Sequence, residues 1–325
     1  MNRKIIYLKE VYSYDDILKR EHKKMPLFLK KIIFLFKNLF NVVTKKNVEE
    51  YNIWVLPIKE KYSNDKIEKI LKSNFNIANN IYVISKGLEN SNIYEIMDMY
   101  GIKYVTEERV KKLLLISGLE YIAKFQNKDV NLLDVTMLVK DNSDINLFLI
   151  EQISKLVKSL KIVSINIYKF RKLEEKLYNE DGIANQFSNS YKKSLEKSNI
   201  IINLDYSEIE INEYNICNNA IIINCTKDNI KIKSRLFEGI IINSYDINMD
   251  KEIINKFKKI HIYEDYTKLI LYASIIEKDN DYFVSYKNIE ENKVSIINFI
   301  GNNGIINKKE FKNITKRLDK NKKKE

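Results

Sequence analysis

The chain has 325 residues, 45% hydrophobic and 31% charged, which excludes a disordered polypeptide and leaves room for two domains with cores of their own. Its two cysteines, Cys217 and Cys225, form no CxxC pattern and have no histidine nearby, which excludes zinc and reads as buried free thiols in a reducing, cytoplasmic setting. The formal charge of +12 sits at the ends, with +8 over residues 19–46 and +6 over residues 308–325, so the rest of the chain nets −2.

The first predicted element is a helix over residues 27–43, LFLKKIIFLFKNLFNVV, entered through Pro26, whose missing N–H is no loss in a first turn. Lys30, Lys31, Lys37, Asn38 and Asn41 form one polar stripe, broken by Phe34, and the rest of the wheel is apolar. The segment is too short and too often interrupted by lysine to span a bilayer, and it lacks the cleavage site of a signal peptide. Two readings stay open: a helix lying on an anionic membrane surface among flanking lysines, or one that packs into a core or against a protein partner.

Residues 52–57, 81–85 and 102–106 are predicted strands and residues 64–74 and 92–100 predicted helices, the second closed by Gly101. Together they form a small βαβαβ unit. A helical pattern over 107–125 reads as a connector. Beyond it, strands at 132–139, 161–167 and 183–187 alternate with helices at 144–160, 170–182 (stopped at Gly182) and 190–198. Three copies of Ile-Ile-Ile-Asn follow, at 200–203, 221–224 and 240–243. A short β-branched run ended by a polar residue suits a strand buried on both faces, and three at 21- and 19-residue spacing suggest a parallel sheet. A strand at 260–263, a helix near 265–277 and a segment at 282–312 complete the chain, and the terminal NKKKE is expected to be disordered.

The fold class is thus α/β: a small N-terminal βαβ domain, then a Rossmann-like doubly wound, mostly parallel sheet. The expected organisation is a basic amphipathic segment (1–50), a small α/β domain (51–127), the doubly wound domain (128–250), a C-terminal α/β segment (251–312) and a basic tail (313–325).

Three stretches carry a family likeness. Asn166 is followed by Arg171, Lys172 and a charged helix, SNIIINLD (198–205) ends a strand on Asn203, and AIIIN (220–224) forms the next strand. On these, residues 132–246 resemble the NADP-binding domain of the shikimate dehydrogenase and glutamyl-tRNA reductase type. The resemblance implies a Rossmann fold, NADP or NADPH as cofactor, and a strand-end grip on the adenosine ribose phosphate at Asn166.

The chain departs from that pattern where phosphate would bind. In place of Gly-x-Gly-x-x-Gly stand Lys140, Asp141, Asn142, Ser143, Asp144 and Ile145. Those glycines let backbone N–H groups approach a pyrophosphate at a helix N-terminus. Here Asp141 and Asp144 set two negative charges where two more would go, and Asp144 reads as an N-cap. The family's phosphate-binding arginine is Ile167, and its catalytic Lys and Asp have no counterpart.

Other chemistry is sparse. His22 lies among lysines and His261 in an apolar strand, and no Ser-His-Asp or Cys-His arrangement is visible. Residues 299–311 form a Gly-Asn-Asn-Gly turn rather than a calcium loop, since Phe299 and Gly301 supply no side-chain oxygen. The basic ends carry no specific nucleic-acid motif.

The expectation is a non-catalytic or regulatory protein on a degenerate nucleotide-binding fold, associated with a membrane surface in one reading, binding no cofactor and no metal. The alternative is an NADP-dependent oxidoreductase with an atypical phosphate loop. If a nucleotide binds, the candidate residues are Asn142, Asn166, Asn203, Asp205 and Asn224, each at the carboxyl end of a predicted strand, where ligands of such sheets sit.

Overall fold

A computed structural model describes residues 4–10, 26, 28, 29, 32, 44–48, 51–58, 62–74, 80–84, 88, 92–102, 104–190, 193–248 and 294–322. The predicted helix 27–43 lies outside these apart from three residues, as do His22, His261, the strand 260–263 and the helix 265–277. The chain divides into two compact units, Met1–Thr106 with Met249–Asn280, and Glu107–Asn248 with Asp281–Glu325.

The first unit is built on a five-stranded sheet of β1 (Lys4–Glu10), β2 (Thr44–Val48), β3 (Tyr51–Ile58), β4 (Asn80–Ile84) and β5 (Tyr104–Val105), in the order β2-β3-β1-β4-β5. Only β2 pairs antiparallel. The sequence reading found β3, β4 and β5 but neither β1, which runs between β3 and β4, nor β2 at the sheet edge. Helices α1 (Asn64–Asn74) and α2 (Ile93–Met99) contribute Ile67, Leu71, Ile93, Ile96 and Met97 to a core with Leu8, Ile58, Tyr82 and Ile84. Gly101 ends α2 at φ +60°, where a side chain would be strained, and lets the Ile102 N–H reach the Met97 carbonyl at 2.8 Å.

The second unit begins with α3 (Glu107–Leu113) and α4 (Leu115–Phe125). The single helix expected over 107–125 is therefore two, parted at Leu114. Its main sheet has six strands: β6 (Asp134–Leu138), β7 (Ser159–Val163), β8 (Gln186–Ser188), β9 (Ile200–Asn203), β10 (Ile221–Asn224) and β11 (Ile240–Ile242). Every pairing in it is parallel, and the order is β11-β10-β9-β6-β7-β8. The chain starts mid-sheet, winds outward through β7 to β8, returns beside β6, and winds outward the other way. The sheet is Rossmann-like and doubly wound, with its switch point between β6 and β9.

The isoleucine runs explain why it forms. All residues of β9 and β10 are buried, and the register sets Ile200, Ile201 and Ile202 beside Ile221, Ile222 and Ile223. Each fully buried isoleucine contributes about 1.5–3 kcal/mol of transfer free energy. Helix α5 (Asp144–Leu156) turns Leu149, Ile150 and Ile153 inward, and α6 (Arg171–Asp181) ends at Gly182, φ +66°.

Several boundaries move. Helix α5 stops at Leu156, short of the expected 160, because the Lys158 N–H bonds the Leu133 carbonyl at 3.0 Å and starts β7. The helix expected over 190–198 is one 3₁₀ turn, Lys193–Leu195, in a serine-rich stretch. There Ser198 Oγ meets the Thr136 hydroxyl at 2.8 Å, and the Ser194 hydroxyl donates to the Ser190 carbonyl. Serine hydroxyls bonding backbone and neighbours in this way compete with helix.

Strands β12 (Ser244–Asn248), β13 (Ser295–Gly301) and β14 (Gly304–Ile306) form an antiparallel sheet with the expected Gly-Asn-Asn-Gly turn between β13 and β14. Helix α8 (Lys308–Lys322) then takes in Asn321 and Lys322 of the tail expected to be disordered. It is anchored by buried Phe311 and Ile314, with Phe311 stacked on Phe125 at 5.2 Å.

Candidate functional site

The carboxyl ends of β6, β9 and β10 hold two kinds of polar structure. The first is an amide ladder. Asn203 Nδ2 donates to the Tyr206 carbonyl at 2.7 Å and to Asn224 Oδ1 at 3.0 Å. Asn224 Nδ2 donates to the Asp228 carbonyl at 2.8 Å and to Asn243 Oδ1 at 3.0 Å. Asn243 in turn donates to Asn302 Oδ1 at 2.9 Å, and Asn302 closes on the Ile230 carbonyl at 3.0 Å. Parallel register creates this ladder: Asn203 lies beside Asn224, and the β10–β11 pairing brings Asn243 alongside. Asn203, Asn224 and Asn243 are all buried. Both amide hydrogens of each are used.

The second structure is charged and surrounds the loop 139–143 between β6 and α5. The Asp205 carboxylate, just past β9, accepts from Lys112 Nζ at 3.0 Å, the Lys140 backbone N–H at 3.1 Å and Asn146 Nδ2 at 2.8 Å. Asn146, on the first turn of α5 and fully buried, also donates to Asp141 Oδ1 at 2.8 Å. Asp141 Oδ1 accepts the Ser143 N–H at 3.0 Å in an Asx turn. Ser143, not Asp144 as expected, is the N-cap, and it makes no side-chain cap bond.

Adjacent lysines of α3 enter this cluster from buried positions. Lys112 Nζ also meets Glu108 at 2.9 Å, while Lys111 Nζ donates to the Thr226 carbonyl at 2.9 Å and lies 3.7 Å from Glu107. Lys140 Nζ bonds Glu210 at 2.6 Å and lies 5.1 Å from the Tyr206 ring centroid, within cation–π range. Glu210 also closes a capping box with Ser207 at the start of α7 (Glu208–Ile211).

Burial disfavours the Lys112 ammonium, but Glu108 and Asp205 outweigh it and raise its pKa. Burial likewise opposes the Asp141 carboxylate, and bonds from Ser143 with the Lys112 charge prevail and lower its pKa. Glu210 is lowered against burial by Lys140 and Ser207. Burial pushes the Cys225 thiol up to about 12, so it stays protonated and inert at neutral pH.

The five candidate residues therefore separate. Asn203 and Asn224 are rungs of the ladder, and Asp205 is the acceptor at the centre of the charged cluster. Asn142 is exposed in the loop. Asn166 is also exposed and lies beyond the strand, which ends at Val163, as the N-cap of a 3₁₀ turn Ile167–Phe170. The structure adds Lys111, Lys112, Asn146, Glu210 and Asn243. A cleft of about 410 Å³ lies elsewhere, between Gly239–Ile241, the β13–β14 turn and α8.

No family model matches this chain, and no curated protein does. Among solved structures, it is similar to L-tryptophan dehydrogenase from Nostoc punctiforme at 10% identity and TM-score 0.33, over 99% of this chain and 90% of that one. A shikimate dehydrogenase in complex with NADP+ is similar at 12% identity and TM-score 0.27, over 68% and 76%. Quinate dehydrogenase from Corynebacterium glutamicum in complex with NAD gives 7%, 0.26, 68% and 79%. Likeness at this level says nothing of chemistry, and it is the chain's own strand order that identifies its fold. Among the described residues, no helix is long and apolar enough to cross a membrane.

Proposed function

We propose that this chain is a non-catalytic or regulatory protein built on a Rossmann-like sheet whose nucleotide site is closed by its own carboxylates. One observation carries the reading: the Lys140 N–H, at the start of the loop where a pyrophosphate would rest, is already taken by Asp205. Asp205 and Asp141 are tied together through Asn146, so a diphosphate would have to displace one carboxylate and tolerate the other. Two unit charges 4 Å apart repel by about 4 kcal/mol at an effective dielectric constant near 20. No glycine in the loop allows a closer backbone approach. An NADP-dependent oxidoreductase with an atypical phosphate loop is the opposing reading, and it requires Asp205 to leave three donors. The test is a fluorescence titration of NADPH and NADH with the purified full chain. The expected result is no saturable change in nicotinamide emission to millimolar concentration, and a saturable change supports the oxidoreductase.

A second element of the proposal concerns residues 27–43. Phe28, Leu29 and Ile32 are helical and expose 68%, 44% and 45% of their surface, which supports a helix that meets an anionic membrane surface. Co-sedimentation with anionic vesicles at low salt, lost when Phe28 and Ile32 become Ser, is the expected outcome. Indifference to vesicles would favour a protein partner for this helix.

A further inference from the structure

We propose that the outer face of α8 is a docking surface for a duplex nucleic acid, held through its phosphate backbone without regard to base sequence. The surface is remote in sequence from the closed loop and does not depend on it.

The buried side of α8 is set by Phe311 and Ile314, which are 1% and 4% exposed. At 3.6 residues per turn, Lys309, Lys312 and Lys316 fall within an arc of about 60° on the opposite side, in a row about 10 Å long. All three are exposed. No acid among the described residues pairs with them: Glu310, in the first turn, accepts from the Asn307 N–H and side-chain amide at 3.3 and 3.2 Å, and Glu238 is taken by Arg317 at 2.5 Å. Neither packing nor helix stability accounts for the row. Like charges three and four residues apart repel on a helix, as Lys309 with Lys312 and Lys312 with Lys316 do. Lys309 and Lys312 also stand toward the N-terminal end of a fifteen-residue helix, where the dipole disfavours cations. A row that opposes its own helix in two ways and buries nothing is accounted for by an anionic partner outside the chain.

The chemistry of the face selects the partner. A helix that lies in a membrane surface buries an apolar face among the lipids. In α8 the apolar Phe311 and Ile314 are already committed to the core, Phe311 against Phe125, and the described exposed residues are Lys309, Glu310, Lys312, Asn313, Lys316 and Arg317. Single-stranded nucleic acid is held by bases stacking on aromatic side chains, and this face presents none. A duplex keeps its bases stacked inside and offers a regular line of phosphates, about one charge per 1.7 Å of axis, to any row of cations within reach. Three lysines would displace counterions from about three phosphates, which makes the contact weak and steeply salt-dependent.

The test titrates the full chain into a fluorescein-labelled DNA duplex of about 20 base pairs at about 50 mM salt and reads anisotropy. The triple variant Lys309→Gln, Lys312→Gln, Lys316→Gln should bind at least ~10-fold more weakly than the wild type, with a log Kd against log salt slope shallower by about 2–3. Removing the same charge at Lys169, Lys197 and Lys231, which are exposed on other elements, should cost less than ~3-fold. Arginine at the three row positions should keep the binding. The glutamine variant relieves like-charge repulsion and should melt no lower than the wild type, so that lost binding is not lost folding. Equal losses from the two glutamine triples would show that net charge alone is felt and would overturn the proposal, as would a wild type that does not bind the duplex. Vesicles of anionic lipid run in parallel decide the other source of negative charge: a row variant that loses the vesicles and keeps the duplex makes the face a membrane contact and defeats the proposal.

Discussion

The asparagine ladder and the charged cluster share one edge of the same sheet and solve the same problem, the termination of parallel strands in a buried setting, by opposite means. The ladder is neutral and closed: each of its three buried amides spends both hydrogens, and its rungs are spaced by strand register alone. The cluster is ionic and drawn from α3, the β6 loop, α5 and the turn after β9, and it leaves Asn146 Oδ1 without a partner. An unpaired buried amide costs about 1–3 kcal/mol, whereas a buried charge stripped of its partner costs about 3–5 kcal/mol. The ladder is therefore sheet architecture, and the cluster is where an imbalance of charge would be felt most.

The largest effect should come from unbalancing the cluster. Lys112→Met leaves Asp205 and Glu108 without their shared cation, and a loss of about 3–5 kcal/mol in urea-unfolding free energy is expected. A loss under about 1 kcal/mol would show the cluster to be as forgiving as a surface ion pair.

The ladder should respond less, and in a graded way. Asn224→Ala leaves one Asn203 Nδ2 hydrogen unpaired and takes one of two donors from both Asn243 Oδ1 and the Asp228 carbonyl, for about 2–3 kcal/mol. Asn302→Ala, at the exposed end, should cost about 1 kcal/mol or less. Equal losses at the two positions would contradict a ladder whose weight lies in its buried rungs.

The smallest effect is a pH dependence. The pKa of Asp141 is lowered on folding, so its contribution is present above the ordinary carboxylate value of about 4 and is lost as pH falls through the lower folded value. Asp141→Asn should therefore melt below the wild type at neutral pH and converge with it in acid. Lys112 has the opposite sign: its raised pKa makes its contribution complete below the ordinary lysine value and lost only as pH rises through the folded value. Between about pH 2 and 8 the difference between the wild-type and Asp141→Asn melting curves should therefore follow Asp141, with Lys112 charged throughout.

The sheet was legible because its strands are written locally. Ile-Ile-Ile-Asn needs no distant partner to read as a buried strand, and Gly101 and Gly182 mark helix ends by the left-handed conformation they adopt. The site was half legible. Loss of the loop glycines and the charges of Asp141 and Asp144 are visible in the sequence, but the acceptor that closes the loop, Asp205, lies 65 residues from Lys140. Asn203 and Asn224 read as ligand residues because an amide at a strand end looks alike whether it faces a cofactor or another amide. Only the pairing of β9, β10 and β11 brings their partners into reach. Lys111 and Lys112 were passed over as part of a connector. The available signal was two lysines set between Val110 and the apolar run Leu113–Ile116, which is buried. Strand β1 was missed because a single amphipathic reading was laid over the whole N-terminal segment.

The closed loop can be tested at one atom by amide hydrogen exchange at Lys140 in the free chain and with millimolar NADPH. The account predicts a protected N–H, held by Asp205 at 3.1 Å, whose exchange is unchanged by nucleotide. Fast exchange in the free chain that slows on adding NADPH would contradict it, placing the nucleotide, and not Asp205, on the loop.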